Sequence, residues 1–208
     1  MTGEATRLVL TRHGQTVWHE ENRYAGSSDI DLTDTGRQQA DRLAAWTRAT
    51  RPAAVVSSPL GRALATARPS AAVLGSEPVV VEDLREVDFG MAEGRTLSEL
   101  RADDPDMVAR FREDPVTHHF PGADPPAAAA TRASEALRAV AAKYPGATVL
   151  VIAHNTLIRL ALCQLLGIDV RTYRQVFPGL GNGTLTEIAI GAAHEPASLL
   201  SFNVPLTP

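Results

Sequence analysis

The most constraining feature of the sequence is an apolar run near its start that ends abruptly. Residues 8–10 read Leu-Val-Leu and lead through Thr11 into Arg12, His13 and Gly14. A short apolar run with polar boundaries is typical of a buried parallel strand. The triplet Arg12-His13-Gly14 then has two interpretations, a simple turn at a strand end or a nucleophile in an anion-binding pocket. The residues that follow the other predicted strands distinguish between these two interpretations.

Further apolar runs alternate with helical patterns along the chain. The runs are residues 53–58, 78–82 and 147–153. The helical patterns are residues 32–49 with Thr35 as N-cap, 59–75 with Pro59 at the first helical position and a kink or break at Pro69, 127–144, and 155–167. This alternation predicts a three-layer α/β/α fold with a mostly parallel sheet and helices on both faces. Residues 184–190 and 197–203 are predicted as the last strands, at the sheet edge.

Residues 96–130 differ in character from the rest of the predicted single domain, residues 1–208. They carry five prolines and short charged helical pieces. We interpret them as a cap-like helical and loop insertion over the active-site end of the sheet. Arg101, Arg110 and Arg112 alternate there with acidic residues, which is typical of a solvated face rather than a site for a second phosphate. The adjacent His118 and His119 lie on a predicted loop and are not expected to bind a metal ion.

Composition argues against several classes of partner. The net charge of −4 argues against nucleic acid and against an anionic membrane surface. No apolar run approaches the roughly 20 residues of a membrane span, and residues 1–7 contain no signal-peptide core. Cys163 is the only cysteine, so an intramolecular disulfide is impossible, and its apolar surroundings indicate a buried small side chain. We expect a cytoplasmic protein.

Chemistry-bearing residues gather at the carboxyl ends of the predicted strands, where parallel sheets bind ligands. They are Arg12, His13, Arg62, Glu86 and His154. Two arginines match the oxygens of a phosphoryl group, and a neutral imidazole is a competent nucleophile. Helices beginning near Pro59 and after His154 are expected to point N–H groups at the same anion. A carboxylic acid is needed to protonate the leaving group, and Glu86 is the best placed. No metal ion and no cofactor are required.

Five motifs extend this reading to a known family. In order and spacing, "LTRHGQT", "DLTDTGRQQA", "VVSSPLGRALATA", "LREVDFGMAEG" and "VLVIAHNTLIR" resemble the motifs of the histidine phosphatase superfamily, which has the phosphoglycerate mutase-like fold. The resemblance implies that His13 is phosphorylated and then dephosphorylated by water, while Arg12, Arg62 and His154 hold the phosphoryl oxygens. Glu86 acts as general acid and then as general base. Other substrate-binding residues implied are Gln15, His19, Ala25, Gly26, Asn155 and Asn182.

Three positions depart from the family pattern. His19 replaces the asparagine that many members use as a phosphate ligand; its imidazole can still donate, with a changed pH dependence. Asn155 replaces a common glycine after the second histidine. Ala92 replaces a common tryptophan and indicates altered packing. Trp18, Tyr24 and Phe120 either line the mouth of the pocket or pack in the core.

The expected activity is hydrolysis of a small-molecule phosphomonoester. Mutase-type phosphoryl transfer is the alternative, but related mutases are longer, with a larger insertion and a lysine-rich C-terminal tail. A non-catalytic module that binds a phosphorylated ligand is a third interpretation. The presence of both His13 and Glu86 argues against it. A homodimer is a family-level expectation only.

Overall fold

The computed structural model describes residues 5–191 and 195–206, which contain one six-stranded sheet. The strands are β1 (Thr6–Arg12), β2 (Ala54–Ser57), β3 (Val79–Val80), β4 (Thr148–Ala153), β5 (Leu185–Ile190) and β6 (Ser198–Val204). Their order is β3-β2-β4-β1-β5-β6. The first four run parallel, and β5 and β6 are antiparallel additions. The mostly parallel sheet is therefore confirmed. Residues 1–4, part of the segment expected to hold no signal peptide, lie outside the described residues.

Seven α-helices accompany the sheet within the described ranges. They are α1 (Asp34–Thr50), α2 (Gly61–Val73), α3 (Leu97–Asp103), α4 (Pro105–Glu113), α5 (Pro126–Lys143), α6 (Asn155–Leu166) and α7 (Tyr173–Val176). The predicted helices α5 and α6 are confirmed, with small shifts of their ends. No helix among the described residues is long and apolar enough to cross a membrane.

Two helix predictions are corrected. The N-cap of α1 is Thr33 rather than Thr35, because the Thr33 hydroxyl accepts the backbone N–H of Gly36 at 3.1 Å. Helix α2 begins at Gly61 rather than Pro59, and it continues through Pro69 without a break. Proline removes one backbone donor there, but the buried alanine face of α2 packs on the sheet, and packing provides most helical stability in proteins.

Two strand predictions are also corrected. The predicted strand over residues 78–82 is only the two residues of β3, an edge strand whose Val80 is 51% exposed. The chain turns at once into a short 3-10 helix, Glu82–Leu84. Strand β5 is not an edge strand, because β6 covers its outer side.

Alternating residues of the central strands divide the core into two layers, one on each face of the sheet. Leu8 and Leu10 of β1 belong to a cluster that includes α5 and α6. Val9 belongs to a second cluster with Leu43 of α1 and with the alanines of α2. The period of two along each strand explains this division, and the three-layer α/β/α architecture is confirmed.

The region expected to form an insertion packs through an aromatic cluster. Phe120 is fully buried and stacks on Phe111 of α4, with ring centroids 4.0 Å apart. Tyr24, from the loop after β1, meets Phe120 edge-on at 5.2 Å. The cluster therefore fixes α4 and the loop after it against a segment that follows the nucleophile candidate.

We expect Phe120→Ala to lower the free energy of unfolding by about 3–5 kcal/mol, because it opens a cavity in this cluster. Urea denaturation measures the change. The control is Leu200→Ala on β6, where the leucine is 53% exposed and the expected change is within about 1 kcal/mol. Similar losses in the two variants would contradict the structural role given to Phe120.

Candidate active site

His13 lies at the end of β1 with its imidazole held in one tautomer. Its Nδ1 is 2.8 Å from the carbonyl oxygen of Gly14, and a carbonyl can only accept, so the proton is on Nδ1. The lone pair is therefore on Nε2. The backbone of His13 donates to Ala153 O at 3.0 Å and accepts from Asn182 Nδ2 at 2.8 Å. Both the ring and the main chain of His13 are thus oriented by neighbouring elements.

Gly14 allows the chain to approach α1 closely. A Cβ built on Gly14 would lie 2.5 Å from the carbonyl oxygen of Gly36, in the first turn of α1. Backbone cannot give way as a flexible side chain does, so any larger residue would push the turn after His13 out of place. The glycine in the opening triplet therefore serves the position of the histidine before it.

The His13 imidazole is uncharged. Burial is the largest cause that holds its pKa well below the ordinary value of 6.5, and the guanidinium groups of Arg12 and Arg62 lower it further. The side chain is almost fully buried. A neutral imidazole with a free Nε2 lone pair is the nucleophilic form.

Three buried N–H groups near His13 have no hydrogen-bond partner among the described residues. They are Arg12 Nε, Arg62 Nε and the Nδ1 position of His154. The ring centroid of His154 is 5.2 Å from that of His13, and both arginines are close enough to lower the pKa of His13. Buried donors without partners are rare in native proteins and require an explanation. An anion that binds beside His13 would supply their acceptors.

Arg62 is held by a carbonyl cradle. Its Nη1 donates to Ser28 O at 2.7 Å, and its Nη2 donates to Ala25 O and Gly26 O at 3.1 and 2.7 Å. Glu93 fixes this cradle, because its carboxylate accepts from Gly26 N at 2.8 Å and from the Ser28 hydroxyl at 2.7 Å. Ala25 and Gly26 therefore orient Arg62 through their carbonyl groups. The role of Glu93 had no signal in the sequence beyond its place after Ala92, which is fully buried.

His154 is oriented by a serine. Its Nε2 lies 2.7 Å from Ser58 Oγ, which also accepts the backbone N–H of Leu60 at 3.3 Å. The serine hydroxyl proton is then free to bond to Nε2, and in that tautomer the His154 proton is on Nδ1. Burial lowers the pKa of His154 well below its ordinary value, and Arg62 and His13 add to this effect. His154 is a neutral N–H donor.

Glu86 binds the first turn of α6, which corrects the expectation for that helix. Thr156 N donates to Glu86 Oε2 at 3.0 Å, and Leu157 N and Val87 N donate to Oε1 at 2.9 and 3.0 Å. These amides are therefore engaged by a carboxylate of the protein itself. Burial nonetheless raises the pKa of Glu86, although the three N–H groups and Arg62 oppose it.

A carboxylate also lies close to the first residue of α2. A Cβ on Gly61 would lie 2.5 Å from Asp29 Oδ1, so this end of α2 is close to Asp29. Of the two helix N-termini expected to point at one bound anion, that of α6 therefore binds Glu86 through Thr156 N and Leu157 N, and the expectation for α2 stays a prediction. Side-chain donors surround His13 instead.

His19 contacts Arg12 rather than offering a donor to the pocket. Arg12 Nη2 donates to His19 Nε2 at 2.6 Å, and Asn182 Nδ2 lies 3.2 Å from the same atom. Nε2 therefore accepts from Arg12, while Nδ1 lies 2.8 Å from Thr16 Oγ1 and 3.0 Å from the backbone N of Thr16. Burial, followed by the charge of Arg12, lowers the pKa of His19 to about 4. Donation from His19 to a bound phosphate stays a prediction.

A cavity of about 400 Å³ opens beside these groups. Six of the predicted site residues line it, namely Arg12, His13, His19, Ala25, Glu86 and Asn155. Arg62 and His154 are fully buried behind its wall, and Asn182 contacts His13 and His19 from outside. The structure does not bring Gln15 or Gly26 to the cavity. Gln15 Oε1 accepts from the Thr33 hydroxyl at 2.8 Å instead.

The cavity also includes residues that sequence reasoning missed. Arg159 of α6 and Arg174 of α7 are lining residues. Arg159 was recognisable as a lone charge in the apolar pattern of α6, whereas Arg174 carried no signal. Trp18 and Tyr24 also line the cavity, while Phe120 packs in the core. His118 and His119 do not line it, and nowhere in the described ranges do three His, Cys, Asp or Glu side chains group as a metal site would.

Comparisons with known proteins agree with this geometry. A family model described as "Histidine phosphatase superfamily (branch 1)" matches residues 8–203. A bifunctional protein of Mycobacterium tuberculosis is 39% identical over 161 residues, which are 77% of this chain but 44% of that protein. The chain therefore spans less than half the length of this relative.

Two further comparisons cover most of this chain and most of the compared protein. Phosphoserine phosphatase 1 of Hydrogenobacter thermophilus is 30% identical over 167 residues, which are 80% of this chain and 79% of that protein. The solved structure of a mycobacterial glucosyl-3-phosphoglycerate phosphatase has a TM-score of 0.86 at 28% identity, covering 97% of this chain and 100% of that one.

We expect the stability of the protein to fall as the pH drops from 6.5 towards 4, in part because of His19. The unfolded chain takes up a proton on this residue near pH 6.5, whereas the folded protein resists protonation until about pH 4. His19→Gln keeps an acceptor for Arg12 but removes the titration. Its free energy of unfolding, measured in urea across this range, should fall less steeply than that of the wild type.

The matched control for this measurement is His118→Gln, whose histidine is exposed. We expect it to follow the wild-type curve. A His19→Gln curve parallel to the wild type over the whole range would show that burial and the charge of Arg12 do not hold His19 neutral.

Proposed function

We propose that the chain, which belongs to the histidine phosphatase superfamily, is a metal-independent phosphatase that hydrolyses small phosphomonoesters through a phosphohistidine on His13. The family match confirms the resemblance seen in the five motifs. One observation carries the rest of the proposal: a neutral, buried imidazole is surrounded by three buried N–H groups that have no acceptor among the described residues. The phosphatase names of two relatives support hydrolysis.

The first step transfers the phosphoryl group to His13. The Nε2 lone pair forms a bond to phosphorus, and the ester P–O bond breaks with its electrons on the alcohol oxygen. Glu86, whose pKa is raised by burial, gives its proton to that oxygen. The alcohol leaves, and the imidazole carries the phosphoryl group with Nδ1–H still bonded to Gly14 O.

The second step releases phosphate. A water molecule attacks phosphorus, the ionised Glu86 takes its proton, and the P–N bond breaks to restore the neutral His13. Arg12, Arg62 and His154 donate to the phosphoryl oxygens in both steps. Because they are fixed before the reaction, they stabilise developing negative charge without reorganisation. In this proposal Arg12 and Arg62 supply the positive charge that a metal ion provides in other phosphatases.

A cytoplasmic location is part of the proposal. Its support is the use of cysteine: the single cysteine of the sequence, Cys163, is a buried free thiol that can form no disulfide within the chain, as is usual in a reducing compartment.

We expect His13→Ala to reduce turnover of p-nitrophenyl phosphate by at least about 1,000-fold, because the nucleophile is lost. Release of p-nitrophenolate measures the rate. His118→Ala, on the loop outside the cavity, is the matched control and should retain wild-type turnover. Equal rates for wild type and His13→Ala would refute the phosphohistidine mechanism.

We expect Glu86→Gln to harm alkyl phosphates more than aryl phosphates. Glutamine keeps one acceptor oxygen for the α6 amides but cannot give a proton to the leaving group. Turnover of an alkyl phosphate should fall by about 100-fold, whereas p-nitrophenyl phosphate, whose phenolate leaves unaided, should lose less than about 10-fold. Phosphate release from both esters provides the comparison, and equal losses would exclude Glu86 as the acid.

A further inference from the structure

Two arginines in the cavity have no part in the proposed phosphoryl chemistry. Arg159 is on α6, one helical turn after Asn155, and Arg174 is on α7; both line the same cavity as His13. Residues four apart on a helix share a face, with Cβ atoms about 6 Å apart. Arg159 therefore lies one turn from the end of α6 that carries the catalytic edge.

Arg159 is a desolvated cation with an unused donor. Its side chain is only 4% exposed, and Nη1 donates to Pro178 O at 3.0 Å. The guanidinium lies over the ring of Tyr173, with its central carbon 4.9 Å from the ring centroid. Nε is buried and has no partner in the described part of the chain. Burying a charged group without a paired charge is costly unless something compensates for it.

Arg174 is oriented by aromatic groups. Its Nε donates to the Tyr173 hydroxyl at 3.0 Å, and its guanidinium lies 4.6 Å from the centroid of Phe111. Aromatic faces stabilise a cation but do not neutralise it. Neither Arg159 nor Arg174 has a carboxylate within 4.0 Å among the described residues.

The cavity is therefore more positive than one phosphoryl group requires. Arg12, Arg159 and Arg174 all face it, and Glu86 is the only carboxylate among its described lining residues. Arg23 also lines it, but its guanidinium is paired with Glu21 and Glu99, so it is already neutralised. The charge of Arg23 is therefore used within the structure, whereas the charges of Arg159 and Arg174 remain for a ligand.

We propose that Arg159 and Arg174 form a second anion subsite, so that preferred substrates are phosphomonoesters whose alcohol carries a carboxylate or a second phosphate group. The inference rests on the proposed function, because it assigns the leaving alcohol to this end of the cavity. Both anions match the forked donors of guanidinium groups. The volume of about 400 Å³ suits a metabolite of this kind.

The experiment compares matched pairs of esters that differ only in the second anion. O-phosphoserine is set against O-phosphoethanolamine, and propane-1,3-diol bisphosphate against propyl phosphate. For at least one pair, the wild type should show a kcat/KM roughly 10- to 100-fold higher for the ester with the second anion, the effect of charge-assisted hydrogen bonds. The pair that shows the preference identifies the anion as carboxylate or phosphate.

Substitutions then assign the preference to the two arginines. In Arg159→Gln and in Arg174→Gln, the preference should fall to within about 3-fold of unity, while turnover of propyl phosphate stays close to that of the wild type. Arg159→Lys, which keeps the charge, should restore part of it. Arg23→Gln is the control in the same cavity and should keep the full preference. If Arg159→Gln fails to fold, the half-buried Arg174 decides the question alone.

The outcomes separate this inference from the function on which it rests. Hydrolysis of propyl phosphate without a preference in either pair would overturn the subsite and leave the phosphatase intact. A preference that persists in Arg174→Gln would also overturn it. Failure to release phosphate from any ester would overturn both proposals.

Discussion

The structure depends on keeping one imidazole uncharged and oriented beside two guanidinium groups. His13 is buried with Arg12 and Arg62, so protonation would add a third positive charge to a dry site, and its pKa is low. The bond to Gly14 O then decides which nitrogen keeps the proton. Burying the guanidinium groups of Arg12 and Arg62 with unpaired N–H donors beside His13 destabilises the folded protein. The carbonyl cradle around Arg62 and the tight packing of Gly14 on Gly36 hold this arrangement in place.

Helix α6 organises the rest of the cavity. Its first amides hold the carboxylate of Glu86, which would otherwise be free to pair with the arginines. Arg159, one turn later, extends positive charge towards the far end of the cavity. His19 and Asn182 complete the other side by fixing Arg12 and the main chain of His13. The nucleophile at the end of β1, the acid held by α6 and Arg159 of the proposed second anion subsite therefore meet around these two elements, while α7 contributes Arg174.

The sequence was sufficient to predict the fold class and the convergence of Arg12, His13, Arg62, Glu86 and His154, because carboxyl ends of parallel strands share one edge of a sheet. It was not sufficient to predict hydrogen-bond partners that depend on side-chain rotamers and on the paths of loops. The contact of His19 with Arg12 and the contact of Gln15 with Thr33 depend on such choices. Helix α2 passes through Pro69 because tertiary packing outweighs local propensity. Arg159 stands out in the sequence as a lone charge in an apolar helix, but only the structure shows that it lines the cavity.

The most direct measurement is the chemical identity of the enzyme-bound phosphoryl group. Wild-type protein is mixed with a phosphomonoester, quenched in alkali within one turnover, and digested for mass spectrometry and phosphorus NMR. Because Nδ1 of His13 is bonded to Gly14 O, the mechanism predicts an acid-labile, alkali-stable phosphoryl group on Nε2 of His13. Phosphorylation at Nδ1, on another residue, or on no residue while phosphate is released would contradict it.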